Sequence, residues 1–501
     1  MACAHDDEVP TCDKVLVIGA GPAGLAAAAA LQELDVPFDL VDRSRDVGGV
    51  WNPDDPHSPS WPGLRAVSSV STTQFDDLLM PASFPAFPTA EDMAKYLRAY
   101  TAHHGLSVHF RGGVTVRSAT PFGQGRWQVE LSTGEVVIYR ALVSAHGISQ
   151  RAALPDWAPP RTRTSRSPGH FEPTVRHSVL EGEPLPPVEV LHSSAWAGAE
   201  SVAHRSVLVV GSGQSAADIA VEAAGTAREV RLAMREGHWV VPRRIGPLPG
   251  DMLAEQEPAL LGQLNARVAE SVVTRMVGTP QAFGLPAPQR SLLSDTVIVS
   301  DDLLDLIRSG AITPTGEALA MAQDGTVTFT PPPSSRPGVT SVETTWRPDI
   351  VVFATGYRPG CDHLDDDLLP HGADGSWDLF LGAFPRVRDD LVVLGQIQVS
   401  GGTFPIVREQ ARIAARILRS YLDTGHLPEA FRQARASGVP STLIGPATQR
   451  LPEGPRQVVG RFFGALRAKS LGAQAQSTTQ PSDRTHLLGQ LRTLRAALAG
   501  N

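Results

Sequence analysis

Cysteine is scarce in this chain: Cys3, Cys12 and Cys361 are the only three in 501 residues. An odd, sparse set without a CxxC pair excludes a disulfide framework and gives no zinc-ligand spacing, and it fits a reducing cytoplasm. Basic tracts are missing as well. The net charge is −8, and without a run of Lys or Arg there is no electrostatic footprint for nucleic acid or an anionic membrane surface. No Ser/His/Asp triad, metal cluster or paired acid and base emerges from the spacing. The hard chemical step therefore falls to a bound cofactor, with the protein supplying orientation and dryness.

What is present is a place for a dinucleotide. An apolar strand, Val15 to Ile18, runs into Gly19-Ala20-Gly21-Pro22-Ala23-Gly24, an alanine-rich helix and a second strand ending at Asp42. The first glycine serves the tight turn, the second lets the backbone approach a pyrophosphate held on the helix N-terminus, and the third lets helix and strand pack closely. Asp42, 18 residues past Gly24, is placed to accept hydrogen bonds from a ribose. The unbroken apolar run from Val15 to Leu31 could pass for a signal or membrane helix. Its flanks exclude that: Asp6, Asp7, Glu8 and Asp13 precede it, and the glycines and Pro22 interrupt it.

A second unit of the same kind begins at Ser206. Val207 to Val210 form its strand, Gly211-Ser212-Gly213-Gln214-Ser215-Ala216 its turn, and Ala216 stands at the third glycine position, a permitted variant. The following strand, Glu229 to Met234, ends at Arg235 where an NAD site would carry an acid, and a cation there suits a 2′-phosphate. The chain also repeats a strand ending in Ala-x-Gly, at Ala141 to Gly147 and again at Ile350 to Gly356.

The stretches between are less explicit. Gly48-Gly49-Val50-Trp51 suits either a backbone passing close to a flat ligand or a plain glycine turn with Trp51 as core. A helix is predicted after Thr89 as N-cap, with Asp92 at its third position and Met93, Tyr96, Leu97 and Tyr100 as a core stripe. Leu391 to Leu394 reads as a strand leading through Gly395-Gln396 and Gly401-Gly402 into a long helix, whose N-terminal amides can face a ligand. The tail beyond Leu427 reads as helices separated by a surface loop from Gln474 to Ser482.

In this order the motifs resemble the flavin-containing monooxygenases, the single-chain group that includes the Baeyer–Villiger monooxygenases. The resemblance covers most of the chain and rests on GAGPAG, GGVW, His192-Ser193, GSGQSA, Phe283-Gly284-Leu285-Pro286, Ala354-Thr355-Gly356-Tyr357 and the final GQI…EQA region from Gly395 to Ala411. It implies FAD on Gly19, Gly21, Pro22, Ala23, Gly24, Asp42, Arg43, Gly49, Val50, Trp51, Gln396, Thr403 and Phe404. It implies NADPH on Gly211, Ser212, Gly213, Gln214, Ser215, Arg235, Ala354, Thr355, Gly356 and Tyr357. It further implies that reduced flavin adds dioxygen at C4a, that bound NADP⁺ protects the hydroperoxide, and that one oxygen atom passes to a small organic substrate.

Two departures qualify the resemblance. The family's signature before the second unit runs Phe-x-Gly-x-x-x-His-x-x-x-aromatic, and here Pro186 and Val188 replace its first two landmarks while His192 and Trp196 are kept. Where amine- and sulfide-oxidising relatives place an Asn near the flavin, this chain has Ser71-Thr72-Thr73-Gln74. Ser71, Thr72, Gln74 and His192 are accordingly the candidate catalytic side chains.

The expected fold is α/β, with two doubly wound Rossmann-like domains and the NADPH domain inserted into the FAD domain. Its parts are residues 1–190 (FAD), 191–358 (NADPH, with a Pro-rich and helical insertion around 241–296), 359–430 (FAD, return) and 431–501 (helical tail). The expected reaction is N- or S-oxygenation or hydroxylation. Trp196 and Trp61-Pro62-Gly63 leave Baeyer–Villiger oxidation of a ketone open, and the two sites alone leave open a flavin reductase that transfers no oxygen. The expected partners are O2 and a small molecule, in the cytoplasm, with a homodimer as the assembly to test for.

Overall fold

The computed structural model describes residues 10–123, 125–166, 179–180, 183–184, 187–251, 262–292, 296–331, 345–372, 376–397, 399, 401–436 and 483–499. Cys3, Pro186 and the 474–482 loop lie outside these residues. Two five-stranded parallel sheets organise the chain. The first has the order Leu391–Val393, Ala141–Ser144, Val15–Ile18, Phe38–Asp42, Phe110–Gly112. The second, in the order Glu189–His192, Ile350–Phe353, Ser206–Val210, Glu229–Ala233, Ile312–Thr315, is drawn wholly from chain lying between the first sheet's fourth and last strands in sequence. One doubly wound unit is thus inserted into the other.

The two central strands carry unbroken apolar runs, Val15 to Ile18 and Val207 to Val210, because both faces are covered. Val15 and Val17 face a core made with the helices Pro22–Glu33 and Phe404–Thr424, whereas Leu16 and Ile18 face a three-stranded antiparallel sheet, Val116–Pro121, Trp127–Leu131 and Val136–Tyr139. The second unit repeats the plan. Val207 and Val209 face the helix Gln214–Ala223, and Leu208 and Val210 face the antiparallel strands Ala318–Met321, Val327–Phe329 and Thr345–Trp346.

The run of alanines from Ala26 to Ala30 lets the first helix lie close against Phe404–Thr424, which buries Ile406, Val407, Ile413, Ile417 and Leu418. Each such aliphatic side chain contributes roughly 1.5–3 kcal/mol on burial. Arg408, fully buried, crosses between the two helices to the Ala26 carbonyl at 3.1 Å and to the carboxylates of Glu33 and Asp77. The helix Ala90–His103 begins as predicted, with a reciprocal capping box between Thr89 and Asp92. Its stripe of Met93, Tyr96, Leu97 and Tyr100 is buried core.

Candidate functional site

The carboxyl ends of both sheets are built around one repeated contact. A side chain at Gly19 would meet the Ala145 carbonyl oxygen at 2.4 Å, and one at Gly211 would meet the Ala354 carbonyl oxygen at 2.2 Å. Each Ala-x-Gly segment therefore lies directly against the first glycine of its own unit's turn, which is why the sequence carries two copies. In the first unit a Cβ at Gly24 would sit 1.7 Å from the Gly19 oxygen, so strand and helix could not pack otherwise. Gly49 backs onto Gly21, where its Cβ would come within 2.8 Å of the Gly21 Cα. The Gly48-Gly49 pair is thus a brace for the turn, and Trp51 packs half-buried on the first core.

Both turns lead into helices that the protein leaves uncapped. Pro22–Glu33 and Gln214–Ala223 have glycine N-caps, no side-chain cap and no acid in the first turn, in contrast to the fully capped Ala90–His103. Amides left without a protein partner at a helix N-terminus suit an anion such as a pyrophosphate. The residues present thus fit a dinucleotide at each turn. Asp42 accepts from the amides of Ala20 at 2.5 Å and Ser44 at 2.7 Å, which fixes its carboxylate at the strand end, and burial pushes its pKa up. In the second unit the Ser212 hydroxyl accepts from the amides of Arg235 and Glu236, both at 3.1 Å, tying the turn to the next strand's end. Arg235 itself is exposed beside that turn, with Glu236 at 3.1 Å. Gln214 reads the Val299 backbone through both ends of its amide, and Ser215 is exposed.

The remaining candidates divide. Gln396 is buried and donates to the Gly147 carbonyl at 3.1 Å, next to the first turn. Arg43 and Val50 are exposed, and Thr403 opens the long helix. Phe404 was expected at the flavin, yet its ring is buried against Phe75 at 4.9 Å and Tyr96 at 6.5 Å, so the ring is core. His192, expected as a catalytic candidate, is fully buried with both nitrogens engaged. Nδ1 faces the Ser194 hydroxyl at 2.8 Å and amide at 3.2 Å, while Nε2 faces the Gly356 carbonyl at 3.0 Å. Burial holds its pKa down at about 4, so it is a neutral pin with no nitrogen to offer a substrate. Tyr357 packs edge-on against it at 5.1 Å, with its hydroxyl pushed up to about 12 by burial. Thr355 donates to the Ala153 carbonyl at 2.5 Å, and Tyr357–Arg358 pairs antiparallel with Arg151–Ala152, so the Ala354 to Tyr357 turn joins the two connectors between the units.

Ser71, Thr72 and Gln74 lie on or just after the short helix Val70–Thr73. Ser71 is exposed, whereas Gln74 turns its oxygen to the Met80 amide at 2.9 Å, a structural task. Thr72 is buried and held by residues that sequence reasoning missed. Asp251, from the inserted unit, accepts from the Thr72 hydroxyl and the Ser69 amide, both at 2.6 Å. Arg484, in the C-terminal helix Asp483–Ala499, donates to the Thr72 carbonyl at 2.8 Å and the Gly402 carbonyl at 2.7 Å. Nothing in the local sequence marks Asp251 or Arg484, because their meaning lies in contacts 82 to 412 residues away along the chain.

The chain matches the flavin-binding monooxygenase-like family over residues 12–164 and 175–431, and it belongs to that family. It is a flavin-dependent monooxygenase. Dimethylaniline monooxygenase [N-oxide-forming] 2 of Rattus norvegicus is 26% identical over 428 residues, covering 81% of this chain and 73% of the relative. A flavin monooxygenase mutant from Stenotrophomonas maltophilia superposes with a TM-score of 0.56 at 19% identity, covering 82% of this chain and 99% of that one. The open crystal structure of cyclohexanone monooxygenase superposes with a TM-score of 0.60 at 16% identity, covering 98% of both chains. Among the described residues no helix is long and apolar enough to cross a membrane.

Proposed function

We propose that the chain uses FAD at the Gly19–Gly24 turn and NADPH at the Gly211–Ala216 turn to oxygenate a soft nucleophile, an amine nitrogen or a thioether sulfur, in the cytoplasm. Electrons and atoms balance as NADPH, a proton and dioxygen giving NADP⁺, water and one oxygen atom on the substrate. The observation that carries the reading is the pair of uncapped helix N-termini, each entered through glycines at the carboxyl end of its own parallel sheet. Bound flavin supplies the activation of dioxygen. The chain's own part is binding and placement. Gly21 and Gly49 keep the backbone low enough for a pyrophosphate, Arg235 supplies a cation for a 2′-phosphate, and the Thr72 segment forms one wall beside Gly402.

The N-oxide-forming relative supports nitrogen as the acceptor atom. The decisive experiment supplies NADPH and ¹⁸O2 to the purified holoprotein with panels of tertiary amines, thioethers and ketones, and measures labelled product against peroxide. Label in an N-oxide or sulfoxide is the expected result. Label in an ester or lactone would transfer the assignment to Baeyer–Villiger oxidation, and peroxide alone with every panel would make the protein a reductase.

A further inference from the structure

Ser144 ends the fourth strand of the first unit, and beside it three ligating side chains meet. His146, Cys361 and His363 each present one ligand atom, and the three lie within 4.8 Å of one another. The sulfur lies 3.8 Å from His146 Nδ1 and 3.4 Å from His363 Nε2. Tetrahedral bonds of about 2.3 Å to sulfur and about 2.0 Å to nitrogen place such ligand atoms roughly 3.5 Å apart. The Ser144 hydroxyl lies among them, at hydrogen-bond distance from both rings, 2.7 Å from His146 Nδ1 and 2.9 Å from His363 Nε2, and 3.8 Å from the Cys361 sulfur.

We propose that His146, Cys361 and His363 form a binding site for a thiophilic d¹⁰ cation, Zn²⁺ or Cu⁺, at the base of the connectors between the two units. The donor set of two imidazoles and one thiolate is the kind these ions prefer. The ligands sit on fixed backbone. His146 follows a strand paired on both sides, and the His363 carbonyl accepts from the Ala119 amide at 2.7 Å. The Cys361 thiol releases its proton to solvent as the metal–sulfur bond forms. With Cu⁺ the buried site is left neutral, and with Zn²⁺ it carries one positive charge.

The site escaped the sequence because only Cys361 and His363 are close along the chain, while His146 precedes Cys361 by 215 residues. A bound ion would staple the first unit to the segment that follows the Tyr357–Arg358 connector strand, just beyond its pairing with Arg151–Ala152.

The test starts from holoprotein stripped with a chelator. One portion is incubated with zinc sulfate, another anaerobically with copper and ascorbate. Both are gel-filtered and assayed for metal and flavin. One equivalent of zinc or of copper per chain is expected, and which ion is retained identifies the occupant. Cys361→Ser and His363→Gln are expected to lower affinity at least about tenfold with flavin content unchanged. X-ray absorption on the wild-type protein should show one sulfur and two nitrogen neighbours, which keeps the test open even where a variant does not fold. Retention of neither ion, equal retention by both variants, or a coordination shell without sulfur would overturn the proposal.

Discussion

The indole N–H of Trp196 donates to the Glu222 carboxylate at 3.0 Å, and Trp61, from the other unit, hydrogen-bonds the same carboxylate. Both indoles are buried in the second unit's core. The two tryptophans that suggest a Baeyer–Villiger oxygenase in the sequence thus belong to one latch between the units. Glu222 also accepts from the Ala199 amide at 3.2 Å, so its two oxygens serve three donors. Glu222→Gln replaces one oxygen with a donor and leaves an indole facing an N–H. We expect a loss of roughly 1–3 kcal/mol in urea denaturation, with little change in kcat. Wild-type stability in the variant would remove the latch.

Two glycine substitutions should separate ligand binding from folding. An added Cβ at Gly21 meets protein only at 3.5 Å, and its backbone is extended, so Gly21→Ala should fold normally and lose flavin because the methyl occupies the pyrophosphate's approach. Gly24→Ala puts a methyl 1.7 Å from the Gly19 oxygen and should fail to fold. The readouts are bound-flavin absorbance and far-UV circular dichroism. A well-folded Gly21→Ala protein with full flavin content would refute the assignment of this turn.

Arg235 tests the second turn. Its side chain is exposed and pairs with the neighbouring Glu236, so removing it should leave the fold intact. Arg235→Ala should raise KM for NADPH roughly 10- to 100-fold, in line with about 1.5–3 kcal/mol for a hydrogen bond to a charged group, and leave KM for NADH unchanged. An unchanged ratio of the two would take Arg235 out of the site.

The general plan was legible because it is local. Glycine spacing, apolar runs and the Thr89 cap each act within a few residues, and each is realised where the sequence put it. The side chains thought to do chemistry were harder to read. The fate of His192 depends on the Gly356 carbonyl, and the ring of Phe404 on Phe75 and Tyr96, all distant along the chain. The support of Thr72 comes from Asp251 and Arg484, one in the inserted unit and one in the tail. A pattern read along a chain has no access to such pairings until the sheets have brought them together.

Two buried groups should tilt stability with pH in opposite senses. Asp218 accepts from Gln214 at 2.9 Å and is pushed up to about 7 by burial. Its protonated form is favoured by folding, so its contribution is complete below the ordinary carboxyl pKa and is lost as pH rises toward 7. His192, held at about 4, does the reverse: its contribution is complete above about 6.5 and is lost as pH falls toward 4. Asp218→Asn should therefore raise Tm relative to wild type at pH 8 and make no difference near pH 4. His192→Asn should lower Tm at pH 8 by more than at pH 4 and leave the pH dependence of kcat between 6 and 9 unaltered. A shift in that kcat profile would return His192 to the list of catalytic groups.

Arg484 makes the sharpest claim on the tail. Its Nε donates to the Gly402 carbonyl and one terminal nitrogen to the Thr72 carbonyl, so a single rigid fork ties the short helix Val70–Thr73 to the turn before Phe404–Thr424. The two segments already touch, since a Cβ at Gly402 would meet the Thr72 oxygen at 2.2 Å. Lysine keeps the charge but presents a point donor on a flexible stem and cannot hold both carbonyls in fixed geometry. On the proposed reading, in which the Thr72 segment walls the substrate site, Arg484→Lys should leave the two sheets intact, loosen that wall and let water reach the reacting centre. The expected readout is a several-fold rise in the fraction of NADPH electrons ending as peroxide, with KM for NADPH unchanged because Arg235 and the second turn lie elsewhere. Wild-type coupling in this variant would reduce the C-terminal helix to packing and leave the Thr72 wall to Asp251 alone.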